Sequence, residues 1–133
     1  AQRVEGYSVK HDVSVPVSRT AQLIEEGGSA LEAAFPGIRI VAFGHLGDGN
    51  IHWNAFPPAG IANVKAWSAE VNRVAYEQVS RLGGSISAEH GIGVLKRDTL
   101  TRHKDAIELE LMKAVKRALD PQGLMNPGKV LQP

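Results

Sequence analysis

The 133-residue chain contains no cysteine. That excludes disulfides, thiolate zinc sites, iron–sulfur clusters and thiol catalysis, and leaves nitrogen and oxygen as the donors for any metal. An excess of one charge is also missing: 15 basic residues stand against 14 acidic ones, a formal charge of +1. No global field draws such a chain to nucleic acid or anionic lipid, so neither partner is expected. The apolar stretches are too short to span a bilayer and the first residues lack a signal-peptide pattern. A soluble, cytoplasmic protein is therefore expected, with peripheral membrane association or an organelle left open. Internal repeats, low-complexity segments, phosphate loops, nucleophile elbows and basic aromatic stripes are absent. Gly91-Ile92-Gly93 fails the dinucleotide fingerprint because Val94-Leu95-Lys96-Arg97 follows where a third glycine is required, and Gly44, Gly47 and Gly49 fail it too.

What is present reads as one domain over residues 1–133, long enough to bury about two-thirds of its unfolded surface. The chain opens Ala1-Gln2-Arg3 with no initiator Met and enters a strand almost at once, as a piece of something longer would. From Tyr7 to Val17, valines 9, 13, 15 and 17 fall on one parity while Ser8, Lys10, Asp12 and Ser14 fall on the other. This is a strand whose Lys10 and Asp12 point away from the valine face. Ser18 is placed to cap a helix running to about Phe35, which Gly27-Gly28 can kink and Pro36-Gly37 ends. Two strands follow on either side of Asp48-Gly49. Asn63 or a neighbour then starts a helix with Val64, Trp67, Val71, Val74, Ala75 and Val79 at helical spacing, and Gly83-Gly84 stops it.

Ser85-Ile86-Ser87-Ala88 reads as a short fourth strand, a last helix spans Asp105 to Leu119, and the tail around Asn126-Pro127-Gly128-Lys129 is irregular. The order to residue 88 is β-α-β-β-α-β. That is the ferredoxin-like split βαβ arrangement, an α+β fold with one antiparallel sheet and both helices on one of its faces, to which the C-terminal helix and tail are appended. The other face is left for the last helix or for a missing domain.

The informative stretch is Gly44-His45-Leu46-Gly47-Asp48-Gly49-Asn50-Ile51-His52-Trp53-Asn54. Asp-Gly between strand-forming runs is a strong hairpin signal. With Asp48 and Gly49 as the central turn residues, His45 sits directly opposite His52, close enough for two imidazoles to share one ion. Asn54, two residues beyond His52, lies on the same face. A second motif, Ser87-Ala88-Glu89-His90-Gly91-Ile92-Gly93, brings a carboxylate beside an imidazole at a strand end. His45, His52 and Glu89 then form a two-histidine, one-carboxylate set with a position open for substrate, as catalytic zinc sites have. His90 is left as a general base. Lys96-Arg97 reads equally as a helix start or an anion contact, while His11 and His103 receive no role. The same residues also suit a metal-dependent hydrolase, or a non-enzymatic ferredoxin-like sensing or assembly module in which the histidines are structural.

Four segments together resemble the C-terminal domain of FAD-linked oxidases, the group containing D-lactate dehydrogenases, the glycolate oxidase flavin subunit and D-2-hydroxyglutarate dehydrogenase. They are Lys10-His11-Asp12-Val13-Ser14-Val15-Pro16, the hairpin motif from Gly44 to His52, Ser87 to Gly93 with Lys96-Arg97-Asp98, and Leu119-Asp120-Pro121 with Asn126-Pro127-Gly128-Lys129. The resemblance implies the oxidation of a small 2-hydroxy acid with FAD as hydride acceptor, the flavin being bound mainly by a separate N-terminal domain of the same parent chain. It implies zinc or a similar divalent ion on His45, His52 and Glu89, His90 as the base, and Lys10 and Asn54 as substrate contacts. The tail at Asn126 would return toward the flavin. The isolated chain is then expected to be inactive, and its uncovered sheet face to favour self-association.

Overall fold

The structure is a computed structural model that describes residues 6–132. These residues divide into two compact units, one ending at Glu89 and the other beginning at His90.

The first unit is α+β. Its strands are β1 (Val9–Ser14), β2 (Arg39–Phe43) and β3 (Asn50–Phe56), which form an antiparallel sheet in the order β1-β3-β2. Residues 20–34 form helix α1, in which a wider turn at Leu23–Gly27 joins Thr20–Gln22 to Gly28–Ala34. Helix α2 is Val64–Arg81. Alternation along β1 and β3 gives the sheet two unlike faces. Val9, Val13, Ile51, Trp53 and Ala55 are buried on one, as the valine parity predicts. Both helices lie on that face. Gly27 of α1 sits where a Cβ would come within 2.7 Å of the Trp53 ring, so only glycine lets this turn of helix approach so closely. From α2, Val71, Ala75 and Val79 are fully buried.

His11 belongs to this core. Its Nδ1–H donates to the Trp53 carbonyl at 2.8 Å, its Nε2 meets the Asn72 side-chain amide at 2.9 Å, and the Tyr76 ring stands edge-on to it. A buried imidazole satisfied at both nitrogens is a structural residue.

The capping signals hold where they are simple. The Asn63 side chain accepts from the Ala66 N–H at 3.0 Å and starts α2. Ser18 does not cap α1. Pro16 instead leads into a tight 3-10 turn at Val17–Arg19, and the helix begins at Thr20. The expected fourth strand shrinks to one antiparallel bridge, Ser14 to Ser85, followed by the Ala88 N–H donating to the Asp12 carbonyl at 3.1 Å. The cause is local competition: Ser85 Oγ donates to the Ser87 carbonyl at 2.9 Å and accepts from the Ser87 N–H, curling the segment out of the ladder.

The second unit holds α3 (Arg97–His103) and α4 (Ala106–Leu119), followed by an irregular tail. Asp105 caps α4 by accepting from the Ile107 N–H at 2.8 Å. Helix α3 begins at Lys96-Arg97, and a helix start is one of the two readings that pair allowed. Its Arg97 donates to the Gly128 carbonyl at 2.7 Å, fastening the tail, while the Val130 N–H donates to the Gly93 carbonyl at 2.8 Å. The apolar row of α4 at Ile107, Leu111, Val115 and Leu119 is exposed, as are Leu124 and Met125.

Asp120 is the clasp of the tail. Its carboxylate takes the Lys116 ammonium and accepts from the N–H groups of Leu124 and Met125, both at 2.9 Å. Lys116 first, then those N–H groups, hold its carboxyl below the usual carboxylate range against the opposing effect of burial. A depressed value in the folded state means stability that is present above the ordinary carboxyl value of about 3.9 and lost as pH falls through the lower folded one. The Leu124 and Met125 amide resonances are therefore expected to shift together on acidification, with a midpoint below the ordinary value. A midpoint at or above that value would show the clasp to be absent.

Candidate metal and substrate site

The other face of the sheet is polar, and its layout follows from the strand register. Asp12 lies opposite His52 and Lys10 opposite Asn54 across β1 and β3, while Phe43 and Val41 lie opposite the same two β3 residues on the β2 side. Alternation therefore puts Lys10, Asp12, His52 and Asn54 on one surface. Lys10 is exposed and Asn54 is buried. Phe43 packs its ring 5.1 Å from that of His52.

The hairpin corrects the expected register. His45 pairs with Asn50 through two main-chain bonds of 3.1 and 3.2 Å, and the loop is the four residues Leu46-Gly47-Asp48-Gly49. The two histidines are thus diagonal rather than directly opposed, on the same face with ring centroids 6.4 Å apart. The physical reason is the conformation of Asp48. A two-residue Asp-Gly turn needs positive φ at both positions. The four-residue loop needs it only at Gly49, whose φ is 65°. Gly49 is further fixed from the β1 side, since its carbonyl accepts from Val15 N–H at 3.0 Å and a Cβ there would fall 1.9 Å from the Val15 oxygen. The shift of two residues preserves facing, so the convergence survives the change of register.

Glu89 closes the set at the end of the segment that leaves the Ser85 bridge. Its Oε1 is 3.6 Å from His45 Nε2 and its Oε2 is 3.9 Å from His52 Nε2. One donor atom from each of the three residues lies within 4.8 Å of the others. Those separations are too long for hydrogen bonds. They are near the spacing of about 3.4 Å that ligands sharing a tetrahedral zinc at 2.0–2.1 Å must have. His45 and Glu89 are exposed and His52 is partly buried, so the cluster is open to solvent.

The structure therefore brings His45, His52 and Glu89 together, with the Lys10–Asn54 pair one step along the same face. His90 and Asn126 belong to the second unit. His90 is exposed. Asn126, with φ of 47°, lines a recess along with Lys113, Lys116, Arg117 and Lys129. Sequence reasoning gave Asp12 no role, yet its side chain is buried on the polar face, with Oδ1 3.7 Å from His52 Nδ1. The signal was available, because a charged residue with strand parity opposite the valines has to lie on that surface.

A sheet surface that gathers two imidazoles and a carboxylate beside a lysine has the donors for a divalent cation and a cationic group for a small acid. The chain belongs to the FAD linked oxidases, C-terminal domain, a family whose pattern matches residues 1–130. It is 42% identical over 123 residues to a D-2-hydroxyglutarate dehydrogenase of Stutzerimonas stutzeri (strain A1501), covering 91% of this chain and 26% of that protein. A D-2-hydroxyglutarate dehydrogenase of Xanthomonas citri pv. viticola is 39% identical over 125 residues, covering 92% and 26%. The mitochondrial D-2-hydroxyglutarate dehydrogenase of Danio rerio is 37% identical over 132 residues, covering 96% and 23%. The chain thus spans about a quarter of the length of these relatives. Among the described residues, no helix is long and apolar enough to cross a membrane.

Proposed function

We propose that this chain forms the substrate side of an FAD-dependent dehydrogenase that oxidises a D-2-hydroxy acid, with 2-hydroxyglutarate the first candidate, to the 2-oxo acid. The observation that carries the reading is the convergence of His45, His52 and Glu89 beside the Lys10–Asn54 row. Two imidazoles and a carboxylate suit zinc or a similar divalent ion and leave positions open for substrate oxygens. Such an ion, when bound, supplies Lewis-acid polarisation of the 2-hydroxyl and the adjoining carboxylate. Lys10 holds a substrate carboxylate by charge-assisted hydrogen bonding, and Asn54 offers an amide to its polar atoms. His90 removes the hydroxyl proton. Bound FAD would supply the two-electron acceptor for the hydride of C2.

The relatives are about four times the length of this chain, which supports assigning the flavin mainly to an N-terminal domain of a longer parent chain, with Asn126 approaching it from this side. The exposed apolar row of α4 is a surface for that domain to cover, and the isolated chain would bury it by self-association. The four-strand ferredoxin-like order belongs to the same reading: the Ser85 bridge occupies the outer side of β1, where a fourth strand would pair.

The test compares two proteins, each offered D-2-hydroxyglutarate, D-lactate and glycolate with a dye acceptor. The 133-residue chain alone should not turn over, while the full-length, FAD-loaded enzyme should, with 2-hydroxyglutarate preferred. Turnover by the isolated chain without flavin, or none by the loaded enzyme with any of the three acids, would overturn the proposal.

A further inference from the structure

Asp12 is almost fully buried, and its carboxylate and main-chain oxygen reach the metal-type cluster and its supports. Its Oδ2 accepts from the Glu89 N–H at 2.7 Å, and its main-chain oxygen accepts from the Ala88 N–H at 3.1 Å. Its Oδ1 accepts from Asn50 Nδ2 at 3.1 Å and lies 3.7 Å from Nδ1 of His52, the residue directly opposite across the sheet. We infer that Asp12 is a positioning residue: one carboxylate that fixes both the ring of His52 and the backbone of Glu89 for a shared divalent cation. The inference rests on the metal reading proposed above.

The chemistry follows from which nitrogen faces which group. At 3.7 Å the contact is electrostatic and not a hydrogen bond, and a carboxylate, which only accepts, favours the tautomer with hydrogen on the nitrogen turned to it. With Nδ1 protonated, His52 presents its lone pair at Nε2, the nitrogen that faces Glu89 Oε2 at 3.9 Å. Ligating histidines commonly have their second nitrogen held by such a carboxylate, which sets tautomer and ring orientation and raises ligand basicity. Here the same carboxylate also holds a second ligand by its backbone, so the spacing between His52 and Glu89 is set before the cation arrives. A purely structural Asp12, one that merely ties the Ala88–Glu89 turn to β1, would need neither the charge nor the approach to His52.

Asp12→Asn separates these roles, because an amide oxygen still accepts from the Glu89 N–H while the charge is gone. Zinc affinity is measured by competition with a chromophoric chelator on the 133-residue chain, alongside the melting temperature of the metal-free protein. The expected result is a roughly 10- to 100-fold loss of zinc affinity in the variant. Zinc affinity within twofold of the wild type in Asp12→Asn would overturn the inference and leave the metal reading standing. Wild-type protein with no saturable zinc binding would overturn the metal reading, and the inference with it. A measurement on the wild type alone covers a variant that fails to fold: long-range proton–nitrogen NMR of metal-free protein in mildly alkaline solution should show the His52 proton on Nδ1. A proton on Nε2 overturns the inference.

Discussion

Replacing His45 and His52 together by alanine is expected to abolish measurable zinc binding by the 133-residue chain while leaving its fold intact. The size of the effect follows from the number of donors removed. Structural zinc sites with four protein ligands bind with about 10–16 kcal/mol in all, or roughly 3 kcal/mol and more per ligand. Losing two of three donors therefore costs on the order of 10⁴-fold in affinity, and Glu89 alone is left as an exposed carboxylate. Folding should be little affected, because the core lies on the opposite face of the sheet and His45 is exposed. Titration with zinc and a competing chelator, with circular dichroism as the control for folding, measures both quantities. Unchanged affinity in a folded double variant would remove the hairpin from any metal site.

The reasons this site was readable before the structure lie in period-two alternation, which is robust to small errors of register. The hairpin was expected to turn at Asp48-Gly49 and instead loops through Leu46 to Gly49, because only Gly49 takes positive φ. That moved the pairing by two residues, and a shift of two keeps every side chain on its face. A shift of one would have put His52 into the core and Trp53 into solvent. The valine parity of β1 was legible for the same reason, and so was the polar parity that carries Lys10 and Asp12.

Two features escaped because tertiary contacts decide them. Ser85 to Ala88 has the composition of a strand, but hydroxyl-to-backbone bonds reduce it to a bridge, and pattern does not report that competition. Asp12 lay on the right face in the sequence. Its role appears only when the chain returns 77 residues later and places the Glu89 N–H against its carboxylate. The apolar row of α4 shows the converse: Ile107, Leu111, Val115 and Leu119 have helical spacing and do form one face of a helix, yet that face is exposed. Periodicity gives the element and not its partner.

In the full-length, flavin-loaded enzyme, His90→Gln is expected to lower kcat about 10²- to 10⁴-fold, the range that a positioned general base contributes. The loss should fall on kcat more than on KM, because the substrate contacts proposed for Lys10 and Asn54 are untouched and the interaction removed is one made as the proton leaves. Zinc affinity should stay at the wild-type value, since the ligand set assigned to residues 45, 52 and 89 is untouched. This combination separates neighbouring residues of unlike duty: Glu89→Gln should weaken zinc binding and turnover together, while His90→Gln should affect turnover alone. Steady-state kinetics with D-2-hydroxyglutarate and chelator competition on the same preparations decide it. A His90 variant with wild-type kcat would place the base elsewhere, and one that loses zinc would make His90 a ligand instead of a base.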